Sequence, residues 1–210
     1  MKYKFLPFLL FCLLFSACTL FPKNKDDNVN LNTTPTTKLA TQALISPSGQ
    51  AGQSATKNQD TVVALKINGN QILIKLYAKE APNTVDNFLK KVNSGFYNGL
   101  KFHRVEPGFV AQGGDPKGNG TGGGKIKSEI NSLPFRRGSV GLARGSIKEE
   151  SNDSQFFICL ATDTCSHLTN EYVNFGEVVS GMEFVDNIAI GDKITEITSY
   201  TKWKKFLSLF

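Results

Sequence analysis

The chain is poor in histidine: His103 and His167 are the only two among its 210 residues. Two such ligands leave a zinc-type site incomplete. No nucleophile elbow supplies the serine of a Ser-His-Asp triad. The apolar stretch from Phe5 to Phe15 falls short of the ~20 residues that read confidently as a membrane-spanning helix. The charge balance is mild, +6 from 24 basic and 18 acidic residues, and no basic stripe is interleaved with base-stacking aromatics. Nucleic acid is therefore not an expected partner. The glycine-dense stretch Gly113 to Gly124 is followed by no helix start and no Lys-Ser pair, so it reads as an irregular surface loop and not as a phosphate cradle. No internal repeat is present, and no metal or cofactor is implied.

What the chain does have begins at its N-terminus. Lys2 and Lys4 precede the uncharged apolar stretch, in the manner of a secretory signal. Ser16-Ala17-Cys18 then resembles a bacterial lipobox, which makes residues 1–17 a signal peptide and Cys18 the lipid-modified first residue. Several acyl chains on one cysteine would anchor firmly, where one alone binds only marginally. The expected location is the cell envelope, lipid-anchored and extracytoplasmic, with the periplasm as the compartment in a double-membraned cell. Residues 18–60 are rich in Asn, Thr, Ser, Gln, Lys and Pro, and they bury too little to offset ordering entropy. They read as a flexible tether of roughly 35 Å r.m.s. span.

Order is expected from Thr61 to Tyr200, a length sufficient for one core. Val62–Ile67 and Gln71–Tyr77 flank Asn68-Gly69-Asn70 as a β-hairpin. Pro82 suits a helix first turn, Val85, Phe88, Leu89 and Val92 form one apolar stripe, and Gly95 ends the helix. Strands are expected at 137–143, 155–160, 172–179 and 193–200, with a polar loop at 145–153 and a short helix at 181–189. The tail 201–210 mixes bases with large apolar residues, and Trp203 or Phe206 is expected to pack on the domain. Many strands with two helices suggest a β-barrel capped by helices.

The informative stretch is Lys101 to Asp115, two short strands hinged at Glu106-Pro107-Gly108. Residues two apart on a strand share a face, so an arginine, an aromatic ring and a glutamine amide can converge on one patch. The run FHRVEPGFVAQGGD resembles the signature of the cyclophilins, the cyclophilin-type peptidyl-prolyl cis-trans isomerases. Ser154-Gln155-Phe156-Phe157-Ile158 and Val173-Asn174-Phe175-Gly176-Glu177-Val178 match two further motifs in family order. The resemblance implies a mainly β fold, a closed eight-stranded antiparallel barrel capped by two helices.

The chemistry it implies is rotation about an X-Pro amide, a barrier of ~18–20 kcal/mol set by partial double-bond character. A site lowers it by favouring the twisted amide, whose lone pair localises on the prolyl nitrogen. Arg104 is the implied donor, with a permanent charge and a fixed fork of N–H groups. Phe109 and Phe157 match the proline-pocket rings, Val110 stands where many members have Met, and Gln112 matches the residue that holds the substrate carbonyl and orients the arginine. Ala143 and Arg144 match the segment beside the peptide backbone, and Gln155 belongs to the substrate-binding set through the second motif. His103 matches a histidine under the site, His167 falls where animal members often carry Trp, Leu168 matches a pocket leucine, and Tyr172 matches a second wall. The implied partners are proline-containing unfolded or partly folded polypeptides, bound by a monomer. A proline-binding chaperone module with little turnover is the alternative. Arg104, Phe109, Gln112 and Phe157 together speak for turnover, because a groove that only binds needs no donor at nitrogen.

Of the four cysteines, Cys12 leaves with the signal and Cys18 carries lipid. Cys159 and Cys165 can pair in an oxidising compartment. Cys159 lies in an apparent strand, and the expectation is buried free thiols.

Overall fold

The computed structural model describes residues 61–201. The expected signal peptide, Cys18, the tether and the tail residues 202–210 lie outside the described residues.

Strands β1 (Thr61–Ile67) and β2 (Asn70–Leu76) pair antiparallel around a two-residue turn. Asn68 and Gly69 both take positive φ, 51° and 78°, as a type I′ turn requires. Helix α1 (Pro82–Asn93) buries Val85, Phe88 and Val92 and ends two residues before a left-handed Gly95 at φ 71°. Ala81 offers its first turn no side-chain cap. The carboxylate of Glu129 serves instead, accepting from the backbone N–H groups of Asn83 at 3.1 Å and Thr84 at 2.7 Å.

The remaining elements are β3 (Arg104–Glu106), β4 (Val110–Gly113), β5 (Lys125–Lys127), β6 (Ser139–Arg144), β7 (Glu150–Cys159), α2 (Thr162–Cys165), β8 (Asn174–Ser180), α3 (Met182–Val185) and β9 (Ile194–Thr201). A 3-10 turn, Ser166–Leu168, follows α2. The sheet is antiparallel and runs β3-β4-β7-β6-β8-β2-β1-β9, with β5 paired to β7 off that path. It curls around a core that includes Phe88, Tyr97, Phe102, Phe156 and Phe175.

Three expectations are corrected. The barrel is an open, curled half-barrel and not closed: β3 and β9, at the two ends of the path, form no ladder. Among the described residues, the isolated bridge Lys101↔Lys193 and a few backbone bonds, such as Phe102 N–H to Asp192 O at 2.8 Å, cross that seam. The reason is geometric, since β3 starts three residues past the bridge and β9 one residue past it, so the two strands run away from each other. The expected loop 145–153 already contains the start of β7, held by β5 out of the glycine-dense stretch. A third short helix, α2, joins the two expected ones.

Candidate active site

Across the β3–β4 hairpin, Arg104 lies directly opposite Gln112. Arg104 Nη1 donates to Gln112 Oε1 at 3.0 Å, and Gln112 Nε2 donates to Gln155 Oε1 at 3.1 Å. Gln155 is 3% exposed, and its Nε2 donates to the carbonyls of Gly122 at 2.8 Å and Gly120 at 3.1 Å. Those two carbonyls can only accept. They fix which end of the Gln155 amide is nitrogen, so its oxygen must face Gln112, and the Gln112 oxygen must then face the guanidinium. The glycine-dense loop thereby sets the polarity of the whole relay. Gln112 keeps one N–H uncommitted.

Arg104 also donates from Nε at 3.0 Å and Nη2 at 2.7 Å to Glu106 Oε1. Both side chains are about half exposed, 43% and 50%, so this ion pair contributes roughly 0–1 kcal/mol. It does not lock the arginine into the interior.

Below the guanidinium lies a second apolar cluster, separate from the main core: Val110, Phe135, Phe157, Cys159, Cys165 and Leu168, with Phe109 and Tyr172 at its margin. Arg104 Cζ is 5.8 Å from the Phe109 ring centre, and His167 stacks on the other part of that rim at 5.8 Å and 23°. Phe157 stacks on Phe135 at 5.6 Å and meets Tyr172 edge-on at 5.7 Å. The structure thus brings Arg104, Phe109, Val110, Gln112, Gln155, Phe157, His167, Leu168 and Tyr172 together. Ala143 falls in a register shift of the β6–β7 ladder and pairs with no residue of β7.

Two expected site residues behave differently. His103 precedes the first residue of β3, and its ring neighbours Gly120 of the glycine-dense loop. Burial lowers its pKa, with Arg104 and Lys101 adding to the effect and Asp115 opposing it, and its Nδ1 is buried without a hydrogen-bond partner. Arg144 holds the protein and not the slot. Its guanidinium lies 4.5 Å from the Tyr172 ring centre and donates to Glu171 O at 3.0 Å and Gly145 O at 2.9 Å, so it steadies the Tyr172 wall.

The cysteine expectation is half overturned. Both residues are buried, but they form a disulfide, with Cα atoms 6.2 Å apart. The two cysteines are only six positions apart, but the chain turns back through α2 between them, and strand periodicity does not contain that turn.

Three contributors went unassigned in the sequence. Phe135 sits in a loop and carries no periodic signal. Asp115 is 1% exposed and accepts from the N–H groups of Lys117, Asn119 and Gly120 at 2.9, 2.8 and 2.5 Å, which shapes the loop that steers Gln155. Desolvation raises its pKa, but those three donors, together with His103 nearby, hold the carboxyl below its ordinary value. Gly141 is the third, and a lone glycine within a strand is a sign of close approach. A Cβ there would run into Phe157 and come within 2.8 Å of Phe135. Gly141→Ala is expected to tilt the Phe157 ring and raise KM for a proline peptide by roughly fivefold, consistent with an overpacking cost of ~1–3 kcal/mol. An unchanged KM from steady-state kinetics would show that the ring absorbs the methyl group.

A cavity of about 320 Å³ lies along the glycine-dense loop, lined in part by Gly120, Gly122, Gly124, Ile147, Glu150 and Asn152. It shares the Gly120 and Gly122 loop with the amide relay but contains neither Arg104 nor Phe157.

Fold and site together define an antiparallel β half-barrel that can hold a peptide's apolar ring beneath a cationic donor. Known proteins agree. The family profile described as "Cyclophilin type peptidyl-prolyl cis-trans isomerase/CLD" matches residues 62–203. Peptidyl-prolyl cis-trans isomerase B of Bacillus subtilis is 44% identical over 131 residues, covering 61% of this chain and 90% of that protein. The crystal structure of a Cryptosporidium parvum cyclophilin type peptidyl-prolyl cis-trans isomerase superposes with a TM-score of 0.62 at 30% identity, covering 68% of this chain and 98% of that one. A second structure of that protein, solved in the presence of the dipeptide Ala-Pro, has a TM-score of 0.61 at 31% identity, covering 66% and 98%. The chain belongs to the cyclophilin-type peptidyl-prolyl cis-trans isomerases.

Proposed function

We propose that this chain is a peptidyl-prolyl cis-trans isomerase that acts outside the cytoplasm, tethered to a membrane by lipid on Cys18. The observation that carries the isomerase reading is the Arg104–Gln112–Gln155 relay standing over the Phe109 and Phe157 rings. A prolyl ring enters the apolar slot over Phe157, Val110 and Leu168, in keeping with the Ala-Pro dipeptide present with the Cryptosporidium parvum relative. The uncommitted N–H of Gln112 holds the carbonyl of the residue before proline. As the amide twists, its nitrogen loses conjugation and gains a localised lone pair, and the Arg104 guanidinium donates to it. The ground-state planar amide offers no such acceptor, so the interaction strengthens only along the rotation. No covalent bond forms or breaks.

The extracytoplasmic setting is supported by the basic and apolar N-terminus, by the lipobox-like Ser16-Ala17-Cys18, and by a disulfide that suits an oxidising compartment. The clients are unfolded or partly folded polypeptides with accessible X-Pro bonds, and the catalyst works as a monomer. Exchange NMR on a proline peptide tests the activity: added protein should speed interconversion of the cis and trans signals. Binding without faster exchange would instead mean a proline-binding module. A mass spectrum of the native N-terminus tests the anchor, with acylated Cys18 expected and an unprocessed Met1 sufficient to discard it.

A further inference from the structure

We propose that the Cys159–Cys165 disulfide is a positioning bond for the proline slot, so that substrate affinity depends on its oxidation state. The inference rests on the isomerase reading above. Cys159 is the last residue of β7, two positions after Phe157, and pairs across the sheet with Val110. Cys165 ends α2 and leads directly into the 3-10 turn that carries His167 and Leu168. The bond therefore ties the strand that bears one wall of the slot to the segment that bears another.

Apart from the bond, that segment is held by short helical turns and a few loop hydrogen bonds. α2 has four residues and the 3-10 turn three, far below the ~12–15 at which a helix becomes even marginally stable alone. Its other polar ties run to two loops: Thr164 Oγ1 donates to Gly108 O at 2.5 Å in the hairpin turn, while Thr162 Oγ1 accepts from the Arg137 N–H at 3.1 Å and Thr169 Oγ1, just past the 3-10 turn, accepts from the Phe135 N–H at 3.0 Å. Cys165 Sγ itself lies 3.4 Å from Phe109 O. Both sulfurs are fully buried among Val110, Phe157 and Leu168, the residues on which a prolyl ring would rest. With the bond cut, the segment keeps its contacts but gains freedom, and His167 no longer stays stacked on Phe109. Arg104 and Gln112 sit on the other side of the slot and keep their relay. The loss should fall on binding and leave the rotation step alone.

Reduction by a water-soluble phosphine is balanced without any other reactant. The phosphine gives two electrons to the S–S bond and becomes its oxide with oxygen from water, and each sulfur takes up a proton. The test compares oxidised wild type, phosphine-reduced wild type with two free thiols confirmed by counting, and the Cys159→Ala/Cys165→Ala double variant. In reduced wild type and in the double variant, KM for a proline tetrapeptide should rise about tenfold, equivalent to ~1.4 kcal/mol. Turnover at saturation should stay within about twofold. The His167 ring proton signals should lose their ring-current shift from Phe109, and reoxidation of wild type should restore KM. Unchanged KM in both reduced forms overturns the proposal. So does loss of KM, kcat and circular dichroism together, which would make the bond a staple of the fold. If oxidised wild type itself fails to catalyse, the isomerase reading falls first.

Discussion

Arg104→Ala is expected to cut turnover on a proline tetrapeptide by roughly 10²–10³-fold, the scale on which removing one preorganised donor slows a reaction. The loss should appear in kcat as well as kcat/KM, because the donor acts on the twisted amide and hardly on the planar one. Folding should survive. The side chain is 43% exposed, its ion pair with Glu106 is on the surface, and no buried group depends on it for charge balance. Gln112 loses one acceptor contact but keeps its bond to Gln155. A chymotrypsin-coupled or NMR exchange assay gives the rate, and thermal melting gives the control. Turnover within a few-fold of wild type in a folded variant would remove Arg104 from the mechanism.

The largest expected effect on stability comes from the residue beside the site. Phe156→Ala should destabilise the domain by ~3–5 kcal/mol, the usual cost of emptying a buried phenylalanine site. Phe156 is fully buried and meets three rings edge-on: Phe88 at 5.8 Å, Tyr97 at 5.8 Å and Phe102 at 6.1 Å. These belong to α1, to the loop after it and to the approach to β3, so one side chain couples segments otherwise joined through loops. The strand alternates here, and Phe157 next to it faces the slot instead of the core. The melting temperature should fall by roughly 10–20 °C. A drop of only a few degrees would mean that the surrounding rings collapse into the vacated space.

Much of the site was legible before any coordinates because it is local. Arg104 and Gln112 flank one turn, and a tight Pro-Gly hairpin with period-two alternation sets them opposite each other. The same holds for the β1–β2 turn at Asn68-Gly69 and for the stripe of α1. Arg144 shows the limit of reading by position. The resemblance places it beside the slot, and in the structure its guanidinium is taken up by Glu171, Gly145 and the Tyr172 ring, partners that position alone does not name.

By itself, then, the sequence determined the hairpin that aims the arginine, since turn chemistry and strand periodicity act over a few residues, while the family and the two rings of the slot were read from the resemblance of its motifs. Only the tertiary structure decided which way the Gln155 amide points, that Phe135 underlies Phe157, that Cys165 reaches Cys159, and that the sheet stays open at the Lys101↔Lys193 seam. The relay bonds span 43 residues from Gln112 to Gln155 and 33 from Gly122 to Gln155. Their geometry depends on how distant strands and loops pack, and no local periodicity encodes it.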